Sequence, residues 1–131
     1  MCLYIRRPFK NLKGFIHVYK VGLIFDDKFL SPYQRTVIPF NTLWNDPMFY
    51  ENYGRGKITV SIREGFVHCY DNYNIAKNIA DNYYSVFDAI IPSNSTGYWG
   101  YYHDICTNKI IILNPKLSGY NELAKKYGVC V

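Results

Sequence analysis

Phe15-Ile16-His17-Val18-Tyr19-Lys20-Val21-Gly22-Leu23-Ile24-Phe25 decides the fold. The run is β-branched and aromatic, opened by Gly14 and stopped by Asp26-Asp27, which is the composition of a strand. Apolar side chains fall on both of its faces, so it predicts a central strand covered on each side. Gly22 inside it marks a bulge or the close approach of another backbone.

Toward the C-terminus, residues 31–56 carry Pro32, Pro39 and Pro47 among Asn41, Asn45, Asp46, Asn52, Gly54 and Gly56. They read as loop, with one short strand over Arg35 to Phe40. A loop of that length inside a compact domain is more often functional than idle. Lys57 to Ile62 alternates, with Ile58, Val60 and Ile62 on one face and Thr59, Ser61 and Arg63 on the other, as a half-buried strand does. Phe66 to Tyr70 resumes extended structure after Glu64-Gly65. Asp71-Asn72 then opens a helix whose apolar stripe is Ile75, Ala76, Ile79, Ala80 and Tyr83, with Asn72 or Asn74 as N-cap.

Val86 to Ile91 is the next strand, ended by Pro92-Ser93-Asn94-Ser95, and Gly97 to Tyr102 reads as one half of a hairpin. Asn108 to Leu113 is a short apolar strand. The last helix starts near Asn114-Pro115 or Ser118 and runs to Tyr127, with Tyr120, Leu123, Ala124 and Tyr127 on one face. Glu122 and Lys126 form an i,i+4 pair, and Gly128 is the C-terminal cap. The order lacks the regular βαβα alternation of doubly wound folds. It predicts a single α+β domain over 1–131, with an antiparallel or mixed sheet of about five to six strands and two helices on one side.

At 131 residues, 49% apolar and 19% charged, the chain can bury a core without disulfide or metal staples. Cys2, Cys69, Cys106 and Cys130 stand far apart, without the paired spacing of a zinc ribbon or a redox motif, and read as free thiols. At the N-terminus, Arg6-Arg7 follows a very short apolar run instead of preceding one, so no signal peptide is expected and the compartment is the cytoplasm. No apolar stretch approaches the roughly 20 residues of a membrane span. The wealth of Tyr, Asn, Ile and Lys matches AT-rich codons as well as it matches any stacking function.

Catalytic signatures are lacking. His17, His68 and His103 have no metal-ligand spacing, so neither a metal nor a cofactor is expected. Gly54-Arg55-Gly56 has no Lys-Ser/Thr continuation of a phosphate loop, and Gly-x-Ser-x-Gly is absent. The acids Asp26-Asp27, Asp46, Asp71 and Asp104 sit where turns are expected.

Two features point to binding instead. Net charge is +5, and Arg6, Arg7, Lys10, Lys13 and Lys20 all precede the first acid, Asp26. Such a basic end either faces phosphates or an acidic protein surface, or simply solubilises the chain. Thr96-Gly97-Tyr98-Trp99-Gly100-Tyr101-Tyr102-His103 holds more rings than one hydrophobic face needs. Some of them should be exposed, as interface anchors or base-stacking platforms, unless the hairpin is simply packed. The candidate binding residues are therefore Arg6, Arg7, Lys10, Lys13, Tyr98, Trp99, Tyr101 and His103; no catalytic residue is assigned.

At Val18-Tyr19-Lys20-Val21, Ser31-Pro32-Tyr33, Glu64-Gly65-Phe66 through His68-Cys69-Tyr70, Ile91-Pro92 through Tyr98-Trp99-Gly100, and Asn108-Lys109-Ile110-Ile111-Ile112, the chain resembles small uncharacterised phage and prophage proteins of gut bacteria. The resemblance implies a phage-encoded accessory protein in the cytoplasm of the infected bacterial host. It would bind and neutralise a host component, as an anti-CRISPR-like or nucleotide-signal-binding antagonist of host defence. The partner would be a host protein, a nucleic acid or a nucleotide signal, and a homo-oligomer is compatible with it. The same strings are faintly similar to a miniature ADP-ribosyltransferase, in which His17 or Tyr19 and Ser61 would fill the first two roles; the third, a late Glu, is missing, since only Asp104 and Glu122 are acidic after residue 100 and Glu122 lies in the last helix. A virion structural role is a further reading.

Overall fold

The computed structural model describes residues 2–32, 36–45, 59–61 and 67–129, with side chains at all of these except 2–5 and 59–61. Eleven strands form among them: β1 (Cys2–Phe9), β2 (Ile16–Phe25), β3 (Lys28–Leu30), β4 (Val37–Pro39), β5 (Leu43–Asn45), β6 (Thr59–Ser61), β7 (Val67–Tyr70), β8 (Ser85–Ile91), β9 (Gly97–Gly100), β10 (Asp104–Thr107) and β11 (Lys109–Ile112). Two helices accompany them, α1 (Tyr73–Ala80) and α2 (Tyr120–Tyr127). No helix among the described residues is long and apolar enough to cross a membrane.

All described pairings are antiparallel, in the order β5-β11-β8-β2-β7-β10-β9-β1-β6, with β3 added to β2 and β4 to β3. The expected central strand is central: β2 pairs with β8 from Ile16↔Ile91 to Gly22↔Ser85, and with β7 at Tyr19↔Tyr70. Gly22 is where a neighbour comes close. A Cβ there would strike the Phe29 ring and approach the Leu30 carbonyl oxygen to 2.7 Å.

The expected five to six strands are too few, and the surplus has identifiable causes. Asp26 and Asp27 both have positive φ, 52° and 58°, and Phe25 pairs with Lys28. This is a two-residue hairpin turn of the I′ kind, which continues the sheet into β3 instead of ending it. β4 falls within the strand expected over Arg35 to Phe40, whereas β5 lies in the segment read as loop and owes its order to its partner, as in Ile110↔Trp44 and Ile111↔Leu43. β10 is hidden as well, because Asp104 and Thr107 interrupt its apolar pattern. The alternation expected over 57–62 meets the described residues only at β6.

Alternate residues of the sheet face opposite layers. On one face Val18, Cys69, Phe87, Ala89, Ile91, Ile105, Ile110 and Ile112 are buried together with Phe29, Ile38 and Phe40 of the β3–β4 ribbon. On the other, Val21 and Tyr70 receive Ala76 and Ala80 of α1, while Ile90, Ile111 and Leu113 receive Tyr120 and Ala124 of α2. The helices thus share one face, as expected.

α1 is capped by Asn72, whose Oδ1 accepts the Ile75 N–H at 3.1 Å. It ends at Ala80, so Tyr83 of the expected stripe lies beyond it and is exposed; within it Ala76 and Ala80 are buried while Ile79 is exposed. α2 begins later than expected, at Tyr120 after Gly119 (φ 89°), and ends on Gly128 (φ 66°), whose N–H bonds to Ala124 and Lys125 carbonyls.

Candidate functional site

The site grows from the β9–β10 hairpin. Gly97 to Thr107 folds back on itself, pairing Thr107↔Gly97, Cys106↔Tyr98 and Ile105↔Trp99, and residues 101–103 are left to turn. Three bonds clamp this turn. The Tyr102 N–H donates to Asp104 Oδ1 at 3.1 Å. The Asp71 N–H donates to the His103 carbonyl at 2.9 Å. His103 Nδ1 lies 2.9 Å from Asp71 Oδ1, and because an ionised carboxylate only accepts, Nδ1 carries the proton.

His103 itself sits at φ 62°, in the left-handed region where a non-glycine residue is uncommon and needs its surroundings to hold it. The clamp does so, and the consequence is that Tyr101 and Tyr102, 62% and 67% exposed, project from a fixed backbone.

Beside the turn lies a cleft of about 190 Å³ lined by Arg6, Asp71, Trp99, Gly100, Tyr101, His103 and Asp104. β1 brings Arg6 there by pairing with β9, Arg7↔Trp99 and Ile5↔Gly100, across an irregularity between positions 5 and 7. Gly100 makes the room: a Cβ would collide with the Asp104 carboxylate and approach its Cγ to 2.7 Å. Behind Asp104 stands His68, whose Nε2 is buried without a hydrogen-bond partner and lies 3.7 Å from Asp104 Oδ2, beyond bonding distance.

Burial lowers the His68 pKa against the opposing pull of Asp104, so the imidazole is neutral. For Asp104 burial alone would raise the pKa. The nearby His68 ring and the backbone N–H of Tyr102 outweigh it and hold the carboxyl below its ordinary value.

Four of the eight residues expected to bind are thus gathered in one cleft: Arg6, Trp99, Tyr101 and His103. Arg7 is exposed beside it, its guanidinium 5.7 Å from the centroid of the Trp99 ring. Trp99 is half-buried, packed on Phe9 with centroids 5.1 Å apart. Tyr98 is only 5% exposed and belongs to the packing, since its row of the sheet faces inward. Lys10 and Lys13 are exposed at the end of β1 and outside the lining of the cleft. Lys20, counted with the basic end in the sequence, is buried: its Nζ donates to the His68 carbonyl at 2.6 Å.

Asp71 and Asp104, which read as turn formers, are the site residues that sequence reasoning overlooks. A further regularity is invisible in the chain: each histidine faces an aspartate, His17–Asp88 at 2.8 Å, His103–Asp71 at 2.9 Å and His68–Asp104 at 3.7 Å. The signal available is the proximity of Asp104 to the aromatic string, but no spacing rule links Asp71 to it.

From the cleft, Asp104, Tyr70, Tyr19 and Asp88 form one transverse row, partner to partner across β10, β7, β2 and β8. With strands about 4.8 Å apart, Tyr19 and Asp104 are separated by about 10 Å, with Tyr70 between them. The His17–Asp88 pair is half-exposed, beside Tyr19. Among the described residues no three His, Cys, Asp or Glu are grouped to hold a metal ion.

Compared with family models, with curated proteins and with solved structures, the chain matches none.

Proposed function

We propose that this chain is a non-enzymatic binding protein, a phage accessory factor that captures and neutralises a component of its bacterial host through the cleft and the Tyr101–His103 turn. The observation that carries this reading is the clamped turn, which holds a left-handed His103 in place while two tyrosine rings face solvent. Rigid exposed rings beside an arginine cost little ordering on binding, and aromatic and arginine anchors dominate interface energies. The phage assignment rests on the sequence resemblance alone.

Transferase chemistry is less well supported. His17 is engaged by Asp88, and Asp104 lies two strands from Tyr19 with a tyrosine between. Of the remaining residues offered for that role, Ser61 lies in β6, where side chains are not described, and Glu122 is in the first turn of α2.

Affinity capture from the host, read by mass spectrometry of proteins and small molecules, tests the proposal. Tyr101→Ala and the pair Arg6→Glu with Arg7→Glu are each expected to reduce recovery at least tenfold, and recovery should fall steeply with salt. Recovery that ignores salt and survives both variants contradicts it.

A further inference from the structure

The cleft offers three kinds of contact at once. Tyr101 and His103 supply exposed rings, Arg6 supplies a fixed positive charge, and Asp71 and Asp104 supply carboxylates. From this combination we infer that the cleft binds a guanine nucleotide, the base between the rings with its N1–H and 2-amino group on the aspartates and its phosphate on Arg6. The inference rests on the binding function proposed above and names its ligand.

The argument proceeds by matching donors. A carboxylate that stays ionised accepts and never donates, and Asp104 is held ionised by His68 and the Tyr102 N–H. The base it suits must present N–H groups in adjacent positions. Guanine does so on its pairing edge, with N1–H beside the 2-amino group. Adenine sets an acceptor beside its amino group, and uracil flanks its single N–H with two carbonyls, so each brings a lone pair against the carboxylate. Hydrogen-bond reading of a base edge combined with aromatic stacking is the usual way an unpaired base is recognised.

Asp104 Oδ1 accepts the Tyr102 N–H, whereas Oδ2 stands 3.7 Å from His68 Nε2, a buried nitrogen that has no partner. A buried, unsatisfied imidazole behind a carboxylate that lines an open cleft is costly, and a ligand drawing Asp104 into register would shorten the contact. The positive charge for a phosphate comes from Arg6 in the lining and from Arg7, exposed beside it.

The same chemistry is carried by a free guanine nucleotide and by a guanine in a single strand. Calorimetric titration of the full chain with guanosine, inosine and adenosine 5′-monophosphates, and with a short oligothymidine containing one guanine, separates them. Guanosine monophosphate is expected to bind at least tenfold more tightly than adenosine monophosphate, with inosine, which lacks the 2-amino group, in between. An oligonucleotide preferred tenfold over the mononucleotide assigns the base to a strand; equal affinity assigns it to a free nucleotide.

Asp71→Asn and Asp104→Asn are each expected to lower guanosine affinity at least tenfold while leaving adenosine affinity unchanged. Melting temperatures identify any variant that fails to fold, and Asp71→Asn, at the exposed member, keeps the test open if Asp104→Asn does. Equal binding of the two purines, or an arginine-rich peptide taking the cleft with the same aspartate dependence, overturns the inference. If no nucleotide binds while Tyr101→Ala still abolishes host capture, the ligand is wrong and the binding function stands. If guanosine binds while host capture is untouched by Tyr101→Ala, the ligand stands and host capture does not run through the cleft.

Discussion

Lys20 stands in the middle of an apolar sheet face, donating to the His68 carbonyl and lying 5.4 Å from the centroid of the Phe29 ring. The Cys69 and Cys106 thiols are near it, but burial pushes Cys69 up to about 12 and Cys106 well above its ordinary value, so neither supplies an anion. Burial lowers the lysine from 10.5 to about 8. The unfolded chain therefore holds this proton up to about pH 10.5 and the folded chain only to about 8, so stability rises with pH across that window. The penalty below pH 8 is about 3 kcal/mol, at 1.36 kcal/mol per unit. Replacing a buried charge with an apolar chain of similar length removes it. Lys20→Met should stabilise the fold by roughly 1–3 kcal/mol at pH 7, and the difference from the parent chain should shrink toward pH 10.5. Urea unfolding at the two pH values measures both, and a variant less stable than the parent at pH 7 contradicts this account of Lys20. His68 works in the opposite range: its lowered pKa gives stability above the unfolded value of about 6.5 that is lost as pH falls below it.

The β9–β10 hairpin depends on Gly97 and Gly100, where a Cβ would meet the Cys106 backbone and the Asp104 carboxylate. A Cβ at Gly97 would overlap the Cys106 carbonyl oxygen and approach Cys106 C and the Phe9 ring, both to 2.9 Å. Because two of these three atoms are backbone, the strands must separate to admit a methyl group. Gly97→Ala should cost about 3 kcal/mol, at the upper end for overpacking, and should disorder the cleft as well; a variant with unchanged unfolding midpoint and unchanged cleft contradicts the register. Much of this level was legible in the sequence. The 15–25 run announced β2, the stripe at Ile75–Ala76 with Asn72 announced α1, and Gly128 announced the end of α2, because each rests on local chemistry. β3, β5 and β10 were hidden, since strands of three or four residues owe their existence to partners distant in the chain. The site was half legible for the same reason: aromatic and basic residues announce themselves by type, whereas Asp71 acquires its role only when β7 is laid beside β10.

At the scale of the whole molecule, the broad antiparallel sheet leaves several surfaces for a partner. One is apolar, formed by Leu23, Phe25, Leu30, Pro32, Val37 and Tyr84 at the β3–β4 ribbon. Another is the hollow at Pro115 to Glu122 before and within α2. Neither combines charge, exposed rings and a clamped backbone as the cleft does. Hydrogen exchange with and without the captured host component tells these surfaces apart, because amides protected by a partner report where it sits. The account expects new protection at residues 99–104, at Asp71 and at Arg6, with the ribbon and the hollow unchanged. Protection confined to the Leu23–Val37 ribbon or to residues 115–122 would place the binding surface elsewhere and contradict the central claim.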